Sequence, residues 1–362
     1  MAPEAREAMA PFLDADFGNP HSSHKMGRAA AAAVEVAREQ VVECIGATSG
    51  QLVFTSGATE AANWAIKGSL AKAPEGRNRI VTVATEHACV LDTAEYCAEH
   101  GYELTVLGVS GEGLVDPLTF PEALGSDVAL VAVMLVNNEI GAIQPIAEIA
   151  AAAKQCGAPM FCDAVQGLGR VDIPWEDCDM IAMSSHKIHG PKGIGALWLA
   201  DGVEPDSLLH GGGQEAGMRS GTLSPALCAG FGAAAAQMAE RHHDDVAHVE
   251  KLWVIAERKF REKWDINGSD CARYPGNFNV RRKGLDAARL ISDVRGVAFS
   301  AGSACASGSG RPSHVLAALG LSDAEARSSI RLGYGRYTSE EELEKALDLI
   351  LDAAAQQDSI AA

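Results

Sequence analysis

The chain has 362 residues, 47 % hydrophobic and 22 % charged, an ordinary globular composition and long enough for two domains or one large domain with an appendage. Its 48 acidic against 30 basic side chains leave a formal net charge of −18, which argues against nucleic-acid binding, where a basic stripe is the rule. No stretch is apolar for long enough to cross a bilayer, and the N-terminal MAPEAREAMAPFLDADFG lacks the basic start and apolar run of a secretory signal, so a cytoplasmic protein without membrane contact is expected. The nine cysteines are scattered with no C-x-x-C pair, which disfavours both a disulfide framework and a zinc site and fits a reducing compartment.

From about residue 30 to 240, short β-rich runs alternate with alanine-rich helical stretches. QLVFT (51–55) precedes GATEAANWAIKGSLAKA, RIVTVAT (79–85) precedes ACVLDTAEYCAEHG, and ALVAVMLV (129–136) is followed by IAEIAAAAKQCG. APMFCDA (158–164), MIAMSS (180–185) and GALWLA (195–200) add further strands. Continuous apolar strands joined by amphipathic helices predict an α/β fold with a mostly parallel central sheet covered on both faces. Ligands of such sheets sit at the carboxyl ends of the strands. Beyond 240 come a charged amphipathic helix (241–264), NFNVRR, a glycine- and serine-rich stretch near 300–313, SIRLGY and a final helix from about 338. These predict a large domain over 1–240 and a smaller C-terminal α+β domain over 241–362.

The strand ends carry the chemistry. TSGATEAAN (55–63) turns from strand to helix through small residues, so the free N–H groups at Ala58 and Thr59 form an anion seat; an ordinary capped helix reads the same way. The glycine fingerprints of dinucleotide and P-loop sites are absent. TEHACV places His87 at the next strand-to-helix junction, and VNNEIG clusters Asn137, Asn138 and Glu139 after eight apolar residues. FCDAVQ puts Asp163 at the end of a buried strand with Gln166 three residues on; a carboxylate there calls for a cationic partner. The last strand ends in SSHKIHGPKG (184–193), with Ser184, His186 and Lys187 at its mouth.

One ligand answers all five ends. Pyridoxal 5′-phosphate requires an amine for a Schiff base, a carboxylate under its pyridine nitrogen, a phosphate seat and an aromatic or imidazole face over the ring. Lys187, Asp163, the Gly57–Thr59 turn and His87 match these in turn, with Asn138 and Gln166 as donors to the phenolic oxygen.

TSGATEAANWAI, EHACV, VNNEIG, DAVQ, SSHKIHGPKGIGALW, RSGT and GSACASGSGRPSHVL together resemble the cysteine desulfurases of NifS/IscS type, which are aminotransferase-like pyridoxal-phosphate enzymes of class V. The match runs in order from near residue 3 to about 345. The resemblance implies the aspartate-aminotransferase-like architecture, the cofactor, and a catalytic set of Lys187 as Schiff-base lysine, His87 over the ring in proton transfer, and Cys305. Asp163 would pair with the pyridine nitrogen, Gln166 and Asn138 with the phenolic oxygen, Ala58, Thr59 and Ser184 with the phosphate, and His186 would hold either the phosphate or the geometry of the site. Thr222 would reach the phosphate of a second subunit, implying a homodimer with shared sites. Arg331 would clamp the substrate carboxylate, with Asn138 beside it.

Cys305, in SAGSACASGSGRPS (300–313), is the expected nucleophile toward the sulfur of L-cysteine. It would hold that sulfur as a persulfide, release alanine, and pass the sulfur to an acceptor or scaffold protein for iron–sulfur assembly or thio-modification. No metal site is expected, although Cys305 could transiently ligate an iron–sulfur cluster; His21, His24, His242, His243 and His248 belong to no compact ligand set. Relatives carry a Y-L-D-x-x-A-T-T-like stretch upstream of the segment matched by GNPHSSH (18–24), so a short strand and one pocket wall are expected to be lacking here. Gly310-Arg311 stand where relatives often have an acidic residue, which would bear on partner choice. A selenocysteine lyase or cysteine sulfinate desulfinase on the same fold, or a catalytically impaired cofactor-binding scaffold, are the alternatives.

Overall fold

The computed structural model describes residues 1–302 and 313–361. It divides into two compact units, one of Met1–Leu107, Pro117–Leu135 and Pro145–His242, the other of Gly108–Asp116, Val136–Gln144 and His243–Ala362. Among the described residues no helix is long and apolar enough to cross a membrane.

The first unit is built on a seven-stranded sheet of β1 (Gln51–Thr55), β2 (Arg79–Val83), β3 (Glu103–Leu107), β4 (Val128–Met134), β5 (Met160–Asp163), β6 (Met180–Ser184) and β7 (Gly195–Leu199), in the order β1-β7-β6-β5-β4-β2-β3. Pairings from β6 through β5, β4 and β2 to β3 are parallel, whereas β7 runs antiparallel to both β6 and β1. The expected mostly parallel α/β sheet is therefore present, and β7 is its one reversed strand. Because only β7 is reversed, β1, β2, β4, β5 and β6 all end at the same edge. β4 is buried at every position, as a central strand covered on both faces must be. The helix Ala58–Ala71 buries Ala61, Ala62, Trp64, Ala65, Ile66 and Leu70 in a core shared with Val53, Ile80, Leu130, Phe161 and Leu197. At about 25 cal/mol per Å² of apolar surface, burial of this kind dominates the unit's stability.

β3 was not anticipated. Its ELTVL is half-exposed at the sheet edge, so it lacks the continuous apolar run that marked the inner strands. The helix expected over 241–264 instead runs from Pro225 to Phe260: no proline interrupts the alanine-rich stretch after Pro225, and its Gly230 and Gly232 sit where a Cβ would lie 2.6 Å from the Met9 Cγ and 2.6 Å from the Ala37 Cα, so tertiary packing accounts for them. The second unit holds an antiparallel sheet of β8 (Asp265–Ile266), β9 (Asn277–Arg281), β10 (Ser300–Ala301) and β11 (Ser329–Gly333), ordered β10-β11-β9-β8. An edge-to-face aromatic row, Trp253–Phe278 at 5.0 Å, Phe260–Phe278 at 5.5 Å and Phe260–Trp264 at 5.0 Å, packs the charged helix onto this sheet.

Candidate active site

The shared edge of the large sheet gathers the polar residues. β1 exits through Ser56 and Gly57 into the helix Ala58–Ala71, whose N-terminus has no side-chain cap. The N–H groups of Ala58 and Thr59 and the exposed Thr59 hydroxyl are thus available to an anion. Gly195, first residue of β7, pairs with Thr55 on one side and Ser184 on the other. A Cβ at Gly195 would lie 2.5 Å from the Met183 carbonyl oxygen and 2.8 Å from the Gly57 Cα, so only glycine lets these two strand ends close on each other. Ser184 is 1 % exposed, and its hydroxyl lies 2.9 Å from Nδ1 of His186. His186 is exposed, but partial desolvation, with the Lys187 and Lys192 charges, holds its imidazole below its ordinary pKa, so it is mostly neutral at pH 7.

His87 caps the helix Ala88–Glu99: its Nδ1 accepts the Cys89 N–H at 3.1 Å. In the neutral ring the proton is then on Nε2, which leaves that nitrogen as the one that can donate. Asp163 ends β5 at 5 % exposure, with Oδ1 accepting the Val165 N–H at 3.0 Å. This is the one hydrogen bond to its carboxylate among the described residues. Burial pushes the Asp163 carboxyl above its usual range, although His87 and Lys187 pull it back. A buried carboxylate with spare acceptor capacity lacks a cationic donor, and a protonated pyridine nitrogen is such a donor. Gln166 is 9 % exposed in the turn that follows, and Lys187 lies half-buried in the short 3₁₀ turn Ser185–Ile188. The residues of this edge fit pyridoxal phosphate: an amine, a carboxylate in need of a cation, and an uncapped helix start.

The cysteine that His87 caps, Cys89, is no nucleophile. Burial, reinforced by the Asp163 and Glu86 charges, pushes the Cys89 thiol far up, so it stays protonated. Thr222 is exposed, at the end of a turn whose Glu215 (φ 50°) and Ala216 (φ 55°) occupy the left-handed region. That strained turn is pinned by a fork in which Arg38 donates to both Glu215 oxygens at 2.8 and 2.9 Å, and the Phe54 N–H donates to Glu215 at 2.8 Å. Arg219 donates to both oxygens of Glu60 at 2.8 and 3.0 Å, and Glu60 also accepts the Ser56 N–H at 2.8 Å. The turn carrying Thr222 is thereby tied to the start of the 58–71 helix. In the second unit, Arg331 on β11 donates to the Asn138 carbonyl at 3.0 Å, and Asn137 caps its own turn by accepting the Glu139 and Ile140 N–H groups. Cys305 lies outside the described residues.

Sequence reading missed Gly195, Glu60, Arg219, Arg38 and Glu215. A glycine that opens a strand does not announce what its missing Cβ makes room for. The ion pairs join positions 159 and 177 residues apart, a separation that no local pattern encodes.

The aminotransferase class-V family model matches residues 1–346. The chain belongs to this family. It is 42 % identical over 357 residues to the mitochondrial cysteine desulfurase of Saccharomyces cerevisiae, covering 97 % of this chain and 72 % of that protein. It is 41 % identical to cysteine desulfurase IscS of Rickettsia felis, covering 96 % of this chain and 87 % of the relative. A solved NifS-like protein superposes with a TM-score of 0.92 at 29 % identity, covering 98 % of this chain and 96 % of the other. SspA in complex with cysteine superposes at 0.83 with 34 % identity, over 93 % and 96 % of the two chains. Within class V, the chain is thus a member of the cysteine desulfurase group.

Proposed function

We propose that this protein is a pyridoxal-phosphate-dependent cysteine desulfurase that converts L-cysteine to L-alanine and holds the sulfur as a persulfide on Cys305. The observation that carries the reading is the buried Asp163 carboxyl, short of a cationic donor, on the same sheet edge as Lys187, His87 and an uncapped helix start. When bound, the cofactor supplies an aldehyde for an amine and a ring that draws electrons from the substrate's α-carbon.

The roles of the chain's own groups follow from their chemistry. Lys187 anchors the aldehyde. Asp163 keeps the ring nitrogen protonated, and in doing so gains the counter-ion its burial requires. Ala58, Thr59, Ser184 and His186 hold the phosphate, while Gln166 and Asn138 face the phenolic oxygen. His87 presents Nε2 for proton transfer, its other nitrogen being committed to Cys89. Arg331 and Asn138 bind the substrate carboxylate end. The Cys305 thiolate forms an S–S bond to the substrate sulfur as the substrate's C–S bond breaks, and the vacated carbon takes a proton to give alanine.

Exposed Thr222 completes the phosphate seat of a second copy in a homodimer. The sulfur passes to an acceptor or scaffold protein for iron–sulfur assembly or thio-modification. All eight cysteines among the described residues are free thiols, in support of a reducing, cytoplasmic setting.

The test is to incubate the protein with L-cysteine and a thiol reductant and to measure sulfide and alanine. Cys305→Ser should retain the bound cofactor's colour and release almost no sulfide. Lys187→Ala should lose the covalent cofactor linkage. Normal sulfide release by Cys305→Ser, or borohydride fixing the cofactor to a residue other than Lys187, would refute the assignment.

A further inference from the structure

Arg170 is absent from the roles above, yet it touches two of their members. It follows the turn Gln166–Gly169, which Gly167 and Gly169 allow to pack tightly: a Cβ on Gly167 would meet Leu135 at 2.7 Å, and one on Gly169 (φ 67°) would meet Met238 at 2.5 Å. The backbone coils here, with Leu168 bonded to Ala164 and both Arg170 and Val171 to Gly167, so Gln166 and Arg170 fall on one side, four residues apart. One Arg170 nitrogen, Nη1, donates to Gln166 Oε1 at 2.7 Å and to the Gln166 carbonyl at 3.3 Å. The other, Nη2, donates to the Lys187 carbonyl at 2.5 Å.

A guanidinium is donor-only, whereas a glutamine amide has one accepting and one donating end. With Arg170 against it, Gln166 must present its oxygen to the arginine, which turns its NH₂ the other way. We infer that Arg170 is a positioning residue that fixes the orientation of the Gln166 amide, so that its N–H groups and not its oxygen meet the phenolic oxygen of the cofactor, while tethering the backbone of Lys187. This rests on the assignment of Gln166 to that oxygen. A phenolate meeting a carbonyl oxygen would be repelled; one meeting an N–H is stabilised. The donor shares the negative charge that otherwise holds a proton on the neighbouring nitrogen, so its loss moves the pH at which the bound cofactor's absorbance changes upward.

The test uses the cofactor-loaded protein and reads the midpoint of that absorbance titration, beside the dissociation constant for pyridoxal phosphate, with circular dichroism confirming the fold. Gln166→Ala and Arg170→Met should each raise the midpoint by about one pH unit, and the double variant by no more than either alone. Arg170→Lys, which keeps a donor, should restore the parent midpoint. Gln166→Glu, which preserves an acceptor for Arg170 but offers no N–H, should shift at least as far as Gln166→Ala, and it carries the test if Arg170→Met does not fold. A parent-like midpoint in Arg170→Met beside a shifted Gln166→Ala overturns the role of Arg170 and leaves Gln166 in place. Parent-like midpoints in both Gln166 variants remove Gln166 from the phenolic oxygen, and this inference with it.

Discussion

Replacing Asp163 with asparagine should change stability in opposite directions with and without cofactor. The substitution keeps the shape and the oxygen that accepts the Val165 N–H at 3.0 Å, and removes only the charge. Without cofactor, that charge is a burden: burial raises the folded-state pKa, so folding disfavours the ionised form. A carboxyl whose pKa is raised by folding costs nothing below its unfolded value, about 3.9, and its full penalty above the folded value. At pH 7 the cofactor-free Asp163→Asn protein should therefore be the more stable, by about 1.4 kcal/mol for each pH unit by which folding raises the carboxyl.

With cofactor the charge becomes an asset. A charge-assisted bond from the pyridine nitrogen contributes about 1.5–3 kcal/mol, so the variant should bind pyridoxal phosphate about 10- to 150-fold more weakly. Urea unfolding of both proteins, with and without added pyridoxal phosphate, measures both halves. The cofactor-free advantage of the variant should fade as the pH is lowered toward 4. A variant less stable than the parent without cofactor, or equal to it in affinity, would show that Asp163 is not waiting for a cation.

Three further outcomes follow from the site's supports. Arg38→Met leaves the Glu215 carboxylate, 3 % exposed, without its fork and should lower the unfolding free energy by about 3–5 kcal/mol, part of which Arg38→Met/Glu215→Met recovers in a double-mutant cycle. Gly195→Ala drives a methyl into the Met183 carbonyl and Gly57, and should cost about 1–3 kcal/mol in thermal or urea unfolding while weakening cofactor retention. Burial raises the Glu60 carboxyl, but the Arg219 and Ser56 bonds outweigh it and hold the group below its ordinary pKa. The contact is thus fully present above about pH 4.3 and is lost as the pH falls through the lowered value. Backbone exchange over residues 207–222, corrected for intrinsic rates, should quicken on acidification from pH 5 to 3, and in Glu60→Gln it should already be fast at pH 5.

The inner strands, the α/β class and the polar residues that end each strand were determined by the sequence itself. Unbroken apolar runs such as VALVAVM have no stable place except a sheet covered on both faces, and a charged group at the end of such a run, like Asp163, has to meet something polar. The order and spacing of the motifs likewise pointed to the family. The antiparallel sense of β7, the edge strand β3 and the early start of the helix at Pro225 were settled by tertiary structure, since partner strands, and the close approach of Met9 to Gly230 and of Ala37 to Gly232, decide them, not local hydrophobic period. The supports of the site were also invisible beforehand. Gly195 matters through the two strands that flank it, and Arg38–Glu215 and Arg219–Glu60 through neighbours brought together by folding. Even Gln166, named from sequence, acquires a direction only when Arg170 and the turn between them are in place: which end of an amide faces a ligand is decided by what occupies its other end.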